Sequence, residues 1–420
     1  MSTTDRNAGM VIIGAGECGA RAAFALREGG YAGPVTLVGE EAHLPYERPP
    51  LSNEALTRDE HPEPKWIGLA ERFAERGISV LTGRSATAID RAGKSVRLSD
   101  GSTLAYDKLL VATGAMPRQL PLAVDAGPRC LTLRSFDDAL AIRKLLVPGM
   151  RLVVIGGGFI GLELAASAVK RGAAVTVLEA QPRVLMRGVP EEIAAIVTER
   201  HRAEGADIRV GVGIVSISGD AGVVRVALDD GTELTADLLV VGIGAIPVTG
   251  LAEAAGLAIG NGIAVDRYLR TSDPDIFAAG DCCSFPLEVY GGRRVRLESW
   301  RNAQDQGTLA AKNMLGAGEP VSAVPWFWSD QHDLTLQIAG LSEGAERHVR
   351  RDLGAGAFIL FHLAPDGRLL AASGIGPGNT VARDIRLAEM LIAARARPDP
   401  DALASPEVKL KSLLAGGVRA

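Results

Sequence analysis

Cysteine and histidine are scarce in this sequence, and neither is spaced for a redox or metal site. The four cysteines, Cys18, Cys130, Cys282 and Cys283, show no C-x-x-C spacing and predict no disulfide framework, which is typical of a reducing compartment. The histidines lack the spacing of zinc or iron ligands, and each is interpreted as a surface or packing residue rather than a metal ligand or catalytic base. They are His43, His61, His201, His332, His348 and His362.

Long hydrophobic runs and a surplus of basic residues are also missing. Nowhere do about 18 uncharged apolar residues run together, and the N-terminus has no basic region ahead of a long apolar stretch. The formal net charge of −5 argues against a nucleic-acid partner. At 420 residues the chain is long enough for two or three domains. We therefore expect a cytoplasmic protein that binds neither membranes nor nucleic acid.

A dinucleotide-binding strand–helix–strand is present at residues 151–180. Its first strand leads into G-x-G-x-x-G, where Gly156, Gly158 and Gly161 give a tight turn, a bare backbone for a pyrophosphate and close helix packing. The phosphate is expected at the helix N-terminus. The second strand ends on Glu179, which would accept the hydroxyls of an adenosine ribose and repel a 2′-phosphate. This unit therefore predicts NAD rather than NADP.

A second fingerprint lies near the N-terminus. It contains Gly14, Gly16 and Gly19, followed by a helix and a strand that reaches Glu40. Two such units predict two dinucleotides, whereas the alternative is one dinucleotide domain with a chance glycine cluster. A further repeat supports two units, because residues 98–117 resemble residues 228–247 at an offset of 130.

The loop after the first unit carries a family resemblance. Arg48 to Ser52 read R-P-P-L-S, and here the chain resembles the FAD-dependent, NADH-using ferredoxin reductases that feed Rieske dioxygenases and bacterial haem monooxygenases. In that family the loop reads R-P-P-L-S-K and lies against the flavin, so Asn53 stands where the family has lysine. Disulfide reductases of the same architecture carry redox cysteines here, and residues 44–53 contain none. The resemblance spans practically the whole chain.

The resemblance implies an FAD site built from several segments. Residues 261–281 match the family's second flavin motif, in which Asp281 accepts hydrogen bonds from ribityl hydroxyls. Trp300, ahead of a helix expected to begin near Asn302, corresponds to a residue beside the flavin ring, and the N-terminus of that helix would stabilise the reduced ring. The other implied FAD-binding residues are Gly14, Ala15, Gly16, Gly19, Glu40, Arg48, Asn53, Ala86, Thr113, Gly114 and Arg134.

The resemblance also implies the NAD site and the catalytic residues Glu163, Asn53 and Trp300. Glu163 matches a glutamate near the nicotinamide carboxamide and the flavin-side lysine, although an ordinary surface glutamate is the alternative. Because asparagine carries no charge, Asn53 is expected to leave Glu163 without its cation and the reduced flavin less stabilised. The implied NAD-binding residues are Gly156, Gly158, Phe159, Ile160, Gly161, Glu163, Glu179 and Gly244.

The predicted fold class is α/β, with two Rossmann-like dinucleotide-binding domains in a glutathione-reductase-like architecture and a C-terminal α+β domain. In the last domain, Trp326 to Gln331 is implied to cover one side of the flavin site, a hairpin is expected at Asp366-Gly367, and a helix from about Thr380. The predicted domains are an FAD-binding domain at 1–119 and 246–322, an NAD-binding domain at 120–245, and the C-terminal domain at 323–420.

The function implied is a flavoprotein oxidoreductase, a ferredoxin–NAD(+) reductase that moves hydride from NADH to FAD and single electrons to a two-iron ferredoxin. It would be a monomer or homodimer. Arg293, Arg294 and Arg296 are candidate contacts for an acidic ferredoxin, with an ordinary solvated hairpin as the alternative. Two other functions stay open: an NADH oxidase, and an NADH-sensing flavoprotein similar to apoptosis-inducing factor.

Overall fold

The computed structural model describes residues 8–58, 60–124, 126–220 and 222–415. The chain forms two compact units, which are described separately here. Residues 1–7, where no targeting segment is predicted, and residues 416–420 of the predicted C-terminal domain lie outside the described residues. The predicted three-domain division stays a prediction. Unit 1 comprises Met1–Glu47, Pro64–Met116 and Ile246–Ala323, and unit 2 comprises Arg48–Glu63, Pro117–Ala245 and Val324–Ala420.

Strands and helices alternate along both nucleotide-binding stretches. The strands begin with β1 (Gly9–Ile13), β2 (Val35–Val38), β3 (Ile78–Leu81), β4 (Ala86–Asp90), β5 (Ser95–Leu98), β6 (Thr103–Val111), β7 (Ala115–Pro117), β8 (Cys130–Leu131), β9 (Arg151–Ile155), β10 (Ala174–Glu179), β11 (Asp207–Val210), β12 (Ile214–Gly219) and β13 (Val224–Leu228). They continue as β14 (Glu233–Ala236), β15 (Leu238–Val241), β16 (Ala245–Pro247), β17 (Ile259–Gly260), β18 (Gly262–Ala264), β19 (Ile276–Ala278), β20 (Cys283–Leu287), β21 (Arg293–Val295), β22 (Trp326–Gln331), β23 (Leu334–Gly340), β24 (Arg347–Gly354), β25 (Ala357–Leu363) and β26 (Leu369–Pro377). The helices are α1 (Glu17–Glu28), α2 (Glu54–Thr57), α3 (Ala70–Glu75), α4 (Phe136–Leu145), α5 (Phe159–Lys170), α6 (Glu191–Ala203), α7 (Gly250–Ala254), α8 (Trp300–Met314), α9 (Ala382–Ala393), α10 (Pro400–Ala404) and α11 (Leu410–Ala415).

Unit 1 is built on a mainly parallel sheet in the order β3-β2-β1-β6, with β19 also pairing with β6. The central strand β1 reads GMVII and is buried along its whole length, as expected for a strand covered on both faces. Helix α1 packs against α8. Their approach needs Gly307, because a Cβ there would collide with the carbonyl oxygen of Cys18. This packing fixes the starts of both helices beside the sheet.

Unit 2 contains a parallel sheet in the order β11-β10-β9-β15-β8, with α5 packed on β9 and β10. An antiparallel sheet, β12-β13-β14, follows the same strand–turn–strand pattern as β4-β5-β6 of unit 1, which agrees with the repeat at an offset of 130 residues. The last sheet has the order β22-β23-β26-β25-β24 and is covered by α9. None of the helices among the described residues is long and apolar enough to cross a membrane.

Local boundaries largely follow the sequence expectations. The chain turns at Asp366-Gly367 between β25 and β26, as predicted, and the residues implied to cover the flavin site, 326–331, form strand β22. Helix α8 begins at Trp300, two residues before the expected start, because the Ser299 hydroxyl caps it by accepting a hydrogen bond from the Asn302 amide at 3.2 Å. Trp300 is therefore the first residue of this helix and does not precede it. Helix α9 begins two residues after Thr380.

Candidate functional site

The first glycine turn, in unit 1, joins β1 to α1. Gly14 has φ +111°, and an added Cβ there would collide with the Ala112 carbonyl oxygen; a Cβ at Gly19 would collide with the Gly14 carbonyl oxygen. At Gly16, in contrast, a Cβ would meet no atom within 4 Å. No side chain of the described residues caps α1. The turn thus presents unpaired helix N–H groups beside open space, which fits a pyrophosphate.

Other predicted FAD-binding residues also lie in unit 1. A Cβ on Gly39, which follows β2, would be 2.6 Å from the Ala15 methyl, so the strand end that leads to the exposed Glu40 lies against the glycine turn. The Thr113 hydroxyl donates to the Val248 carbonyl at 2.7 Å, and the Gly114 carbonyl accepts from the Val248 amide at 3.0 Å. Ala86, the first residue of β4, is partly buried.

Asp281 ends the predicted second flavin motif of unit 1, and Trp300 begins the next helix, α8. Asp281 lies in a short 3-10 helix, Gly280–Cys282, and the Gly280 amide donates to Gln306 Oε1 at 2.8 Å. Gln306 Nε2 is buried and has no hydrogen-bond partner among the described residues. Gln306 is not predictable from the sequence, because a glutamine on the buried face of a helix carries no motif. The unsatisfied amide is a donor that a bound polar group such as FAD would satisfy.

The second glycine turn, in unit 2, repeats the first. Gly156 has φ +108° and Gly161 packs against it, and a Cβ on either would collide with a carbonyl oxygen, that of Gly242 or of Gly156. A Cβ at Gly158 would meet nothing within 4 Å, and α5 carries no side-chain cap within the described part of the chain. This turn therefore fits a second pyrophosphate, as the sequence predicts.

Glu179 ends β10 and is held beside that turn. Its Oε2 accepts from the Gly157 amide at 2.8 Å, and its Oε1 accepts from the Gln181 amide at 2.8 Å. The carboxylate is thus fixed close to the backbone that would bind the nucleotide. Phe159 packs on Phe327 with a centroid distance of 4.3 Å, whereas Ile160 is exposed. Gly244 has φ +102° and accepts from the Arg118 amide at 2.8 Å.

The loop that contains Arg48 and Asn53 belongs to unit 2. Arg48 Nη1 donates to the Arg134 carbonyl oxygen at 2.6 Å, which brings two predicted FAD-binding residues together. Ser167 Oγ of α5 donates to the Ser52 carbonyl at 2.6 Å and fixes the loop on that helix. Asn53 starts α2 through its backbone carbonyl, which accepts from the Thr57 amide, and its side chain makes no capping hydrogen bond.

Glu163 of α5 has two hydroxyl partners. Ser52 Oγ donates to Oε2 at 2.6 Å, and Ser329 Oγ donates to Oε1 at 2.5 Å. Desolvation by the surrounding protein, reinforced by the nearby charge of Asp330, raises the pKa of Glu163 to about 7, although the two serine hydrogen bonds oppose the rise. No lysine or arginine of the described residues pairs with this carboxyl. Glu163 is therefore held by serine hydroxyls instead of the cation that the family pairs with it, as expected from Asn53, and its role at the nicotinamide stays a prediction.

The arginines suggested for ferredoxin docking lie in and just after a hairpin of unit 1, formed by β20 and β21. Arg294 Nη1 donates to the carbonyl oxygens of Ser284 and Val265 at 2.5 and 3.0 Å. Arg296 pairs with Glu298, and its side chain is only 13% exposed. Arg293 lies over the Tyr290 ring, with its Cζ 5.3 Å from the ring centroid. All three side chains thus have partners within unit 1, and their role in docking a ferredoxin stays a prediction.

Known families match nearly the whole chain. The pyridine nucleotide-disulphide oxidoreductase model matches residues 9–307, and the reductase C-terminal model matches residues 326–414. The chain belongs to the pyridine nucleotide-disulphide oxidoreductase family. This membership and the parallel sheets confirm the predicted α/β fold class and the predicted cofactors, FAD and NADH.

Characterised relatives and solved structures narrow the comparison. The chain is 42% identical over 405 residues to the ferredoxin–NAD(+) reductase component of the anthranilate 1,2-dioxygenase system of Burkholderia cepacia, covering 96% of this chain and 98% of the relative. It is 40% identical over 418 residues to putidaredoxin reductase of Pseudomonas putida, covering 97% of each chain. A structure of a covalent putidaredoxin reductase–putidaredoxin complex superposes with a TM-score of 0.92 at 38% identity, over 99% of this chain and 100% of that one. The predicted family resemblance is thereby confirmed. Contacts of individual residues with FAD or NAD stay predictions.

Proposed function

We propose that the chain is a ferredoxin–NAD(+) reductase, which uses NADH and FAD to supply single electrons to a two-iron ferredoxin that serves an oxygenase. The observation that carries the proposal is a pair of glycine turns without side-chain caps, each followed by a strand leading to a glutamate, in a chain with no cysteine at residues 44–53. Two turns would provide two dinucleotide sites, and the loop at residues 44–53 holds no redox thiol of the kind that takes electrons from the flavin in disulfide reductases.

The residues of each unit would hold and orient the cofactors. Bound FAD accepts a hydride from NADH and releases its electrons one at a time. The N–H groups that begin α1 and α5 would bind the two pyrophosphates, and Glu179 would bind the adenosine ribose of NADH. Glu163 would bind the nicotinamide end, where a carboxylate stabilises the positive charge that the ring gains when hydride leaves.

The partner and the location are inferred from relatives. The similar proteins include reductase components of dioxygenase systems and a reductase that forms a complex with putidaredoxin. An oxygenase-linked two-iron ferredoxin is the electron acceptor that this similarity supports. We place the protein in the cytoplasm, as a monomer or homodimer that acts without a membrane or nucleic-acid partner.

Steady-state kinetics with two donors and two acceptors test the proposal. We expect a higher kcat/KM for NADH than for NADPH, because Glu179 would repel a 2′-phosphate, and faster reduction of a two-iron ferredoxin than of oxygen. Glu179→Gln, which removes the charge, is expected to narrow the preference between the two nucleotides. Equal or better use of NADPH by the wild-type protein would remove the assigned role of Glu179. Oxygen consumption that accounts for all NADH oxidised would make the protein an NADH oxidase.

A further inference from the structure

A chain of hydrogen-bonded side chains runs through unit 2 from Glu163 to His332. Ser329 Oγ lies 2.5 Å from Glu163 Oε1, and Gln331 Nε2 lies 2.8 Å from Ser329 Oγ. His201 Nε2 is 2.8 Å from Gln331 Oε1, and His332 Nε2 is 3.3 Å from His201 Nδ1. The three middle side chains are buried, whereas both ends keep some accessible surface. The chain thus connects a carboxyl in the predicted nicotinamide site with a histidine at the turn between β22 and β23.

The chemistry of the groups fixes the direction of these hydrogen bonds. An ionised carboxylate only accepts, so Ser329 donates to Glu163 and its lone pair accepts from the Gln331 amide. The Gln331 oxygen then accepts, which requires the proton of neutral His201 on Nε2 and leaves its Nδ1 to accept from His332. Every donor therefore points toward Glu163. Bonds aligned in this way polarise one another, so the distant members strengthen the donor at the carboxylate.

Two features indicate that this chain of hydrogen bonds lowers the stability of the fold. A buried polar side chain destabilises the fold unless it is hydrogen-bonded, and Ser329, Gln331 and His201 are all buried. His332 has φ +60°, a conformation that glycine adopts freely and that is strained for a residue with a Cβ. The fold therefore places a histidine at a turn position where glycine would be less strained.

Charged groups on the elements that pack against α5 do not supply a cation for Glu163. Asp330 on β22 raises its pKa, and the remaining charges are engaged elsewhere. Glu54 of α2 pairs with Arg58, Glu179 of β10 accepts from backbone amides, and Arg151 of β9 pairs with Asp237. The pKa of His332 is lowered, first by desolvation; the charged groups that act on it are Glu204, Lys170, Arg200 and Asp333.

We propose that Gln331 and His201 are positioning residues for Glu163: they hold the Ser329 hydroxyl as a donor to the carboxylate and so favour its ionised form in a site without a neighbouring cation. In this chain a line of neutral donors replaces the lysine that the family places at residue 53. The inference rests on the proposed function, because that function assigns Glu163 to the nicotinamide. Ionised Glu163 is the form that would stabilise positive charge on that ring.

An infrared pH titration of the oxidised, FAD-loaded protein without NADH tests the proposal. The carboxyl signal is assigned by subtracting the Glu163→Gln spectrum. Ser329→Ala removes one hydrogen bond to a charged group and is expected to raise the pKa of Glu163 by about one to two units. Gln331→Met and His201→Leu break the chain farther away and are each expected to raise it by roughly half a unit. His201→Gln, which can still donate to Gln331, is expected to restore the wild-type midpoint.

His362→Leu is the matched control. His362 is also a buried histidine of unit 2, hydrogen-bonded to Ser373 at 3.0 Å and to His348 at 2.9 Å, and burial lowers its pKa to about 4, as it does that of His201. Its hydrogen bonds do not lead to Glu163. An unchanged Glu163 midpoint in His362→Leu supports the proposal. An equal shift in that control would assign the effect to a general loosening of unit 2 and overturn the proposal.

Two further results decide cases in which a variant folds poorly. Nitrogen NMR of wild-type histidine is expected to show His201 with its proton on Nε2, and a proton on Nδ1 would contradict the donor order. Wild-type midpoints in both Gln331→Met and His201→Leu, with melting temperatures near that of the wild type, would also overturn the proposal. Since no step uses ferredoxin or NADH, a failure to reduce ferredoxin would remove the proposed function without altering this titration.

Discussion

Helices α1 and α5 each begin at a glycine turn, but the partners of their glutamates differ. Each spans 12 residues, starts after a glycine without a side-chain cap, and carries a glutamate whose pKa is raised mainly by desolvation. In α1 this is Glu17, which accepts from Gln304 Nε2 at 2.7 Å and lies 3.8 Å from Arg21. In α5 it is Glu163, whose hydrogen-bond donors among the described residues are two serines.

The shared glycine motif therefore sets the backbone of each predicted nucleotide site but not the charge beside it. Arg21, one turn along α1 from Glu17, favours the ionised form of that carboxyl. Desolvation raises the pKa of Glu163 to about 7 despite its two serine donors, so this carboxyl titrates near neutral pH. We therefore expect properties that depend on Glu163, in unit 2, to change near neutral pH. Properties that depend on Glu17, in unit 1, should change much less there.

The largest expected effect comes from placing a methyl group in either turn. Gly19→Ala and Gly161→Ala would each press a Cβ onto a backbone carbonyl oxygen, and overpacking of this kind costs about 1–3 kcal/mol, or up to roughly 100-fold in cofactor affinity. Gly19→Ala is expected to lose FAD, measured by flavin absorbance after dialysis. Gly161→Ala is expected to keep FAD and to bind NADH more weakly, measured by stopped-flow reduction over a range of NADH concentrations.

Gly16→Ala and Gly158→Ala are the matched controls. Both Cβ positions are open and neither residue has a positive φ, so the melting temperature of the FAD-free protein should not change. Affinity for the cofactor should still fall, since the added methyl group would occupy the space assigned to the pyrophosphate. Normal FAD retention in Gly16→Ala would show that the nucleotide does not approach this turn.

The sequence predicted the parts of the molecule that depend on local backbone geometry. G-x-G-x-x-G carries its own steric requirement, so Gly14 and Gly156, both with positive φ, were found from residue type alone. The turn at Asp366-Gly367 follows from local pattern in the same way. The start of α8 was missed by two residues because its Ser299 cap was not recognised.

The surroundings of Glu163 could not be predicted in this way. Ser52 is 111 positions from Glu163 and Ser329 is 166 positions away, so the contacts exist only once the sheets and α5 have packed. A serine or histidine in the sequence does not reveal whether it will be buried or which atom it will face. His201 was interpreted as a packing residue; it is buried, but it also takes part in a hydrogen-bonded chain that ends at the candidate site.

The next effect is on stability and contrasts the two glutamates. Since the folded protein raises the pKa of Glu163 from 4.5 to about 7, the fold favours the protonated form, and stability falls as the pH rises through that range. Glu163→Gln removes this poorly solvated charge and is expected to raise the free energy of unfolding by about 1–3 kcal/mol at pH 8, with no gain near pH 4. Glu17→Gln also removes the attraction between that carboxylate and Arg21, so its free energy of unfolding should rise less. Urea unfolding at pH 4 and pH 8 measures the free energy of unfolding of both variants. Equal increases would contradict the proposed difference between the two glutamates.

The pH dependence of flavin reduction by NADH gives a smaller but direct test. If ionised Glu163 supports hydride transfer, the rate should rise about tenfold between pH 6 and pH 8, because the ionised fraction of a group with pKa about 7 rises by that factor. The pKa of His201 is lowered to about 4, so that residue does not titrate in this window. Stopped-flow reduction at saturating NADH measures the profile. Glu163→Gln should make the rate independent of pH, and Glu17→Gln should leave the pH profile unchanged. The reverse result would place the titrating group in unit 1.

The smallest expected effect comes from giving α5 the kind of cation that α1 has. Asn53→Lys restores the family residue at a position whose side chain caps no helix, so the substitution should not disturb α2. An ammonium group near Glu163 favours the carboxylate and is expected to lower its pKa by roughly half a unit to one unit, the range for a partly solvated ion pair. The same charge should raise the two-electron potential of the flavin by stabilising the reduced ring.

Infrared titration and potentiometry measure the two shifts, with Asn53→Gln as the uncharged control. An unchanged pKa with a raised potential would mean that residue 53 acts on the flavin alone; if neither quantity moves, Glu163 and the flavin are governed by the serine donors and by other charges.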